Sequence, residues 1–186
     1  MAETVGFIGL GIMGKPMARH LANAGYQVVI HTLNRDTIAS FTDESDSFIA
    51  AANPREVAEQ AKIVITMLPD SPQVAEVVLG TDGLIEAMGE GSLHIDMSTI
   101  APATAIDVSI ALAAVGARAL DAPVSGGEAG AINAALSIMV GGAAEDVERA
   151  MPLFEKMGKT IVHVGDSGAG QVVKACNQVM VAIDYA

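Results

Sequence analysis

Two residues near the end of this chain have the types and spacing to carry out chemistry on a carbonyl group. Lys174 and Asn177 are three residues apart, so a helix would place them on one face. Apolar residues fill much of the rest of this predicted helix, and partial burial would lower the pKa of the lysine. Such a lysine could donate a proton to a carbonyl oxygen and stabilise a developing alkoxide. Spacing alone also allows a surface lysine whose stem lies along apolar neighbours.

A second candidate is the segment 121–127, which follows a predicted strand and reads Asp-Ala-Pro-Val-Ser-Gly-Gly. Ser125 offers a hydroxyl, and Gly126 and Gly127 offer backbone N–H groups that no side chain obstructs. Together they form a suitable cradle for a carboxylate. An ordinary glycine turn fits this segment equally well.

A glycine-rich turn with the spacing G-x-G-x-x-G lies between the first predicted strand and the first predicted helix. The first glycine permits a tight turn, the second lets the backbone approach a pyrophosphate, and the third lets helix and strand pack closely. The N-terminus of the helix offers free N–H groups to that phosphate. The predicted cofactor contacts in this turn are Gly9, Leu10, Gly11, Ile12, Met13 and Gly14.

The residues after the second predicted strand bear on the choice between NAD and NADP. An acid at the strand end would bind the ribose hydroxyls and favour NAD, but Thr32 stands there. Asp36 is close but is expected inside the next helix. Asn34 and Arg35 could accept a 2′-phosphate, although Arg35 could equally be a solvated surface charge. The sequence favours NADP slightly and leaves NAD open.

Two further loops follow predicted strands and are candidate walls for the nicotinamide half of the cofactor. Met67, Leu68 and Pro69 form one, and Ser98 and Thr99 belong to the other. In an open α/β sheet, ligands bind at the carboxyl ends of the strands. Plain connecting loops remain the alternative for both.

Composition limits the other classes of function. The formal net charge is -12, which argues against nucleic acid or an anionic membrane surface as a partner. Cys176 is the single cysteine, so an internal disulfide is excluded, and we expect it to have a buried, apolar role. The four histidines are scattered and imply no metal site. A cytoplasmic protein without membrane segments is the expectation.

Short apolar runs alternate with helical patterns along the chain, which is typical of a parallel sheet covered on both faces. The predicted fold is α/β, a Rossmann-like, doubly wound and mainly parallel sheet. We expect a dinucleotide-binding domain over residues 1–165, and the start of an interdomain helix with the lysine over residues 166–186. The acidic stretch 42–47 is expected to be a solvated loop.

Taken together, these segments resemble the β-hydroxyacid dehydrogenase family. Segment 7–17 is similar to the N-terminal signature of the family, and segments 67–69 and 96–99 to its cofactor loops. Segment 121–127 is similar to its substrate loop, and segment 174–177 to its lysine motif. The resemblance implies hydride transfer from NAD(P)H to the aldehyde carbon of a small carboxylate. It also implies that Ser125, Gly126 and Gly127 bind the acid group, Lys174 donates the proton, and Asn177 holds substrate or lysine.

Within the family, segments 65–72, 121–128 and 136–142 are most similar to the branch that reduces tartronate semialdehyde. A 3-hydroxyisobutyrate dehydrogenase type of activity is an alternative, as is a dinucleotide-binding domain without catalysis of its own. The family carries an all-helical domain after the lysine helix, and we expect that domain to be absent from this chain, which ends at Ala186. An exposed apolar tail helix would drive homo-oligomerisation.

Overall fold

A computed structural model describes residues 3–184 and shows a single mixed sheet with helices on both faces. The strands follow the β-branched runs of the sequence, which suit a buried sheet. Their bounds are β1 Thr4–Ile8, β2 Gln27–His31, β3 Phe48–Ala50, β4 Ile63–Thr66, β5 Leu93–Asp96, β6 Arg118–Asp121, β7 Val124–Ser125, β8 Leu136–Gly141 and β9 Gly158–Gly165.

The second to fifth helices along the chain begin where the sequence offers a capping residue or a proline in the first turn. Asn34 and Asn53 accept the N–H of Thr37 and Glu56, and Pro54 is favoured at the start of a helix. The bounds are α1 Gly14–Asn23, α2 Arg35–Glu44, α3 Pro54–Gln60, α4 Ser71–Leu79, α5 Pro102–Ala114, α6 Gly127–Ile132, α7 Ala144–Met157 and α8 Ala169–Asp184.

The strand order is β3-β2-β1-β4-β5-β6-β8-β7, and β9 also pairs with β8. From β3 to β6 all neighbours are parallel, whereas β8 runs antiparallel to β6 and β7. The α/β class and the mainly parallel sheet are confirmed. The antiparallel pairing of β8 is the exception within this mainly parallel sheet.

Helices α1, α2, α6 and α7 cover one face of the sheet, and α3, α4 and α5 cover the other. The carboxyl ends of β1, β2, β4, β5 and β6 therefore meet at one edge, between the two helical layers. Polar and glycine-rich loops follow these strand ends, and α8 starts from the same edge. This edge is where ligands bind in open α/β sheets.

Several local predictions were wrong or incomplete. The acidic stretch was expected as a loop, but Thr42, Asp43 and Glu44 form the end of α2. Three short elements, β3, β7 and α6, were not predicted from the sequence. No helix within residues 3–184 combines the length and the apolar character needed to cross a bilayer.

Candidate active site

A groove of about 630 Å³ opens at the carboxyl ends of β1, β2 and β4. Its size lies within the usual range for a cofactor or small-molecule site. Ten of the predicted cofactor residues line it: Gly9, Leu10, Gly11, Ile12, Met13, Gly14, Thr32, Met67, Leu68 and Pro69.

The remaining wall of the groove includes residues that the sequence analysis did not single out. Four of them lie on one face of α4, at positions i, i+1, i+4 and i+5, which is the signal that could have identified them. The further lining residues are Ile8, His31, Leu33, Pro72, Gln73, Glu76 and Val77.

The glycines of the turn after β1 differ in what the fold requires of them. A side chain at Gly14 would collide with the carbonyl of Gly9, and one at Gly9 would collide with the carbonyl of Met67. At Gly11, by contrast, a Cβ atom would meet nothing within 4 Å. Backbone packing thus accounts for glycine at positions 9 and 14, whereas at position 11 the absent side chain leaves open space in the groove.

Four other predicted cofactor residues lie outside the lining of the groove. Ser98 is fully buried, and its Oγ accepts the N–H of Leu68 at 2.8 Å, so it supports the groove wall from behind. Thr99 is exposed beside it. Asn34 uses its Oδ1 to accept the N–H of Thr37 at 3.1 Å, and Arg35 is exposed in the first turn of α2.

A buried polar network lies beneath these loops, at the ends of β4 and β5. The Thr66 hydroxyl is 2.8 Å from Asp96 Oδ1 and 2.9 Å from His94 Nε2. Asp96 Oδ1 also accepts the N–H of Ser98 at 3.1 Å. Burial raises the pKa of Asp96 to about 6 and lowers the pKa of His94 to about 4.

The carboxylate of Asp121, at the end of β6, binds the start of α8. It accepts the N–H of Gly168 at 2.7 Å and that of Gln171 at 2.9 Å. Burial raises the pKa of Asp121, while these backbone hydrogen bonds oppose the rise. The carboxylate therefore satisfies N–H groups that a helix N-terminus leaves without partners.

The side chain of Gln171 connects the lysine helix to the loop after β5. Its Nε2 donates to the carbonyl of Ser98 at 2.8 Å, and its Oε1 accepts the N–H of Ile100 at 3.1 Å. Since Gln171 is one turn before Lys174, the same loop supports both the groove wall and the helix that carries the lysine.

The lysine is buried: only 6% of Lys174 is exposed, and burial lowers the pKa of its ammonium group. Its Nζ donates to Gln178 Oε1 at 2.7 Å. Nearby, Asn177 Nδ2 donates to Ser125 Oγ at 3.3 Å, which joins α8 to the end of β7. The structure therefore brings Ser125 and Asn177 together, and Gln178 holds the lysine beside them.

The glycines of the predicted carboxylate cradle follow Ser125 directly. Gly126 precedes α6 and Gly127 is its first residue, and both are exposed. The contact between Lys174 and Gln178 was not predicted from the sequence. The i, i+4 spacing from Lys174 was the available signal.

The expectation that Cys176 is buried was wrong, because it is exposed on α8. Lys174 takes the buried face of this helix, and Cys176, two residues further on, points elsewhere. Within residues 3–184, no group of three or more His, Cys, Asp or Glu side chains is arranged to hold a metal ion.

The family described as the NAD binding domain of 6-phosphogluconate dehydrogenase matches residues 4–165. The chain is 44% identical over 181 residues to an NAD-dependent L-serine dehydrogenase from Pseudomonas aeruginosa, covering 97% of this chain and 60% of that protein. It is 45% identical over 182 residues to the 2-hydroxy-3-oxopropionate reductase of Escherichia coli, covering 97% and 61%.

A solved structure agrees with these relatives. The chain superposes with a TM-score of 0.87 and 38% identity on a 3-hydroxyisobutyrate dehydrogenase from Mycobacterium tuberculosis, with L-serine, covering 98% of this chain and 61% of that one. The chain spans about 60% of the length of the curated relatives it matches. The resemblance to the β-hydroxyacid dehydrogenases is confirmed.

The opposite pKa shifts of His94 and Asp96 predict an altered pH profile for the variant Asp96→Asn. Between pH 4 and 6.5 the folded state binds fewer protons at His94 than the unfolded state does, so this group makes the protein more stable as pH rises. The pKa of Asp96 is raised from 3.8 to about 6, so its contribution falls over nearly the same window. The two nearly cancel in the wild type, and only the histidine contribution remains in the variant.

Relative to wild type, the free energy of unfolding of Asp96→Asn should therefore rise by about 3 kcal/mol across this window. Urea denaturation at a series of pH values measures it. The variant Asp107→Asn removes an exposed carboxylate and should follow the wild-type profile. Parallel profiles for wild type and Asp96→Asn would contradict the opposed shifts.

Proposed function

The chain belongs to the family of NAD-binding domains of 6-phosphogluconate dehydrogenase, and we propose that it binds NADP or NAD for hydride transfer to a small aldehyde acid. The observation that carries the proposal is Gly11. It lines the groove, and a Cβ atom there would meet nothing within 4 Å, so backbone packing does not demand a glycine at this position. The approach of a dinucleotide phosphate does.

The turn at residues 9–14 would hold the pyrophosphate against the N-terminus of α1, whose free N–H groups favour an anion. Thr32 lines the groove just after β2. An acidic residue at this position would repel a 2′-phosphate, whereas threonine does not. Asn34 and Arg35 follow at the start of α2, and the exposed guanidinium can turn towards such a phosphate. These features support NADP over NAD.

On the substrate side, Ser125, Gly126 and Gly127 would bind the carboxylate of the substrate through one hydroxyl and two backbone N–H groups. Asn177, which already donates to Ser125 Oγ, would hold the substrate or keep the loop and helix in register. The bound nicotinamide, when reduced, supplies a hydride to the aldehyde carbon.

Lys174 would donate the proton that completes the reduction. A proton from Nζ would pass to the carbonyl oxygen, and with the hydride that a bound reduced nicotinamide would supply to the carbon, the aldehyde would become an alcohol. Burial lowers the pKa of this ammonium group, which makes it a stronger acid. Gln178 accepts one of the three N–H groups and leaves two free to face a substrate.

We propose tartronate semialdehyde (2-hydroxy-3-oxopropionate) as the substrate, because segments 65–72, 121–128 and 136–142 resemble the branch that reduces it. The 45% identity to the reductase from Escherichia coli is compatible with this proposal. An activity of the 3-hydroxyisobutyrate dehydrogenase type is the alternative, since a structure of such an enzyme is also similar. A second alternative is a dinucleotide-binding domain that does not catalyse the reaction alone.

The variant Gly11→Ala should bind NADPH at least about tenfold more weakly with little change in melting temperature, because the new methyl group occupies groove space only. Titration followed by nicotinamide fluorescence measures the affinity, and the chain has no tryptophan to interfere. NADPH should bind more tightly than NADH. The control Gly89→Ala adds a methyl group in ordinary contact with the Val115 carbonyl at 3.6 Å, and it should bind as wild type does. An unchanged affinity for NADPH in Gly11→Ala would show that the phosphate does not bind at this turn.

Substitution of the lysine separates binding from chemistry. Lys174→Ala should lose about 10²-fold or more in the rate of tartronate semialdehyde reduction while binding NADPH normally, because only the proton donor is removed. Lys159→Ala removes an exposed lysine and should leave the rate unchanged. If activity survives in Lys174→Ala, the assigned role is wrong. Nucleotide binding without turnover in the wild-type chain would support the non-catalytic alternative.

We also propose a homo-oligomeric, cytoplasmic protein that associates through α8. Apolar side chains on this helix are exposed, with 61% of Val179 and 69% of Ile183 accessible. Light scattering should show a dimer or larger assembly, and the double substitution Val179→Lys with Ile183→Lys should shift it to a monomer. The control Ile110→Lys changes a similarly exposed residue on α5 and should leave the size of the assembly unchanged. A wild-type chain that is strictly monomeric would refute this association.

A further inference from the structure

Two buried polar atoms beneath the groove have no hydrogen-bond partner among residues 3–184. They are His94 Nδ1 and Asp96 Oδ2. Both side chains are almost completely buried, with His94 at 0% and Asp96 at 3% exposure. Leaving a buried acceptor without a hydrogen bond is unfavourable, so a partner is expected for both.

A small cavity lies against these two side chains. Its volume is about 10 Å³, close to the least that holds one water molecule and too small for anything larger. Besides His94 and Asp96, it is lined by Asp121 and Ser167, and by apolar side chains such as Ile100 and Val108. The cavity is therefore polar at one end, which is the condition under which internal water is stable.

The remaining contacts fix the direction of each hydrogen bond. The Thr66 hydroxyl has one hydrogen, and its Oγ1 lies 2.8 Å from Asp96 Oδ1 and 2.9 Å from His94 Nε2. An ionised carboxylate only accepts, so the hydroxyl donates to Asp96 and must accept from the histidine. His94 then carries its proton on Nε2, and its Nδ1 is an acceptor.

Both unpaired atoms are thus acceptors, and a molecule that satisfies both must donate two hydrogen bonds. We propose that one internal water molecule occupies this cavity and donates to His94 Nδ1 and Asp96 Oδ2. The water closes a ring with His94, Thr66 and Asp96. It holds the carboxylate in the orientation that accepts the N–H of Ser98, and Ser98 in turn supports Leu68 at the groove.

This inference rests on the cavity and the two atoms, and it does not depend on the proposed enzyme activity. It also explains how a carboxylate can remain ionised in a buried position, because water supplies the hydrogen bond that the protein does not. Protonation of Asp96 would not expel the water, since the carboxyl would donate to it while it still donates to His94.

A high-resolution crystal structure of the chain tests the water directly. Density is expected for one water oxygen about 2.7–3.2 Å from both His94 Nδ1 and Asp96 Oδ2. An empty cavity, or a direct contact between the two side chains that closes it, would overturn the proposal.

Nitrogen-15 NMR of the histidine rings tests the direction of the hydrogen bonds at His94. His94 should be neutral, with its proton on Nε2, at pH 8. A proton on Nδ1, or a doubly protonated ring, would contradict a water that donates to Nδ1. His94→Leu should lose the water because one acceptor is gone, whereas Asp96→Asn should keep it. Persistence of the water in His94→Leu would show that the histidine does not hold it.

Discussion

The position of the lysine helix depends on one carboxylate. Asp121 ends β6 and accepts the N–H groups of Gly168 and Gln171, so the first turn of α8 is fixed to the edge of the sheet. A carboxylate at a helix N-terminus also interacts favourably with the helix dipole. Without it, α8 would be held by its packing on β8 and β9 and by the hydrogen bonds of Asn177 to Ser125 and Gln171 to Ser98. Lys174 and Asn177, the two α8 residues proposed to act on the substrate, thus depend for their position on a residue that need not touch the substrate.

The groove and the lysine are joined by a short series of hydrogen bonds. Leu68, in the wall of the groove, donates to the Ser98 hydroxyl, and the Ser98 carbonyl accepts from Gln171, one turn before Lys174. Hydride transfer requires that two bound molecules be held in a fixed relative geometry. The loop after β5 suits this purpose because a single rigid segment contacts both halves of the site. The buried carboxylate of Asp96 fixes this loop by accepting the N–H of Ser98.

The alternation of strands and helices could be predicted from the sequence because most strands are buried apolar runs and most helices have clear starts. Edge and connecting elements could not. β3 buries only Phe48, and α6 consists mainly of glycine and alanine, so neither has a periodic apolar pattern. The direction of β8 was equally hard to predict, since its mostly apolar residues 136–140 resemble the runs of the parallel strands although β8 pairs antiparallel with β6 and β7.

The candidate site also contains residues that could be predicted from the sequence and contacts that could not. The glycine turn, Ser125, Lys174 and Asn177 were recognisable because each lies in a local motif. The contacts that position them join residues far apart in the chain, such as Ser98 and Gln171, or Asp121 and Gly168. No spacing rule relates such pairs, and only the folded chain brings them together.

The three glycines of the turn after β1 also carry information about the history of the protein. Selection for folding alone would keep Gly9 and Gly14, because backbone atoms occupy the space of any side chain there. It would let position 11 drift, since the surroundings accept a larger residue. A lineage that had abandoned its nucleotide while keeping its fold would lose this glycine first. Position 11 therefore serves as a marker that distinguishes a working dinucleotide turn from a relic of one.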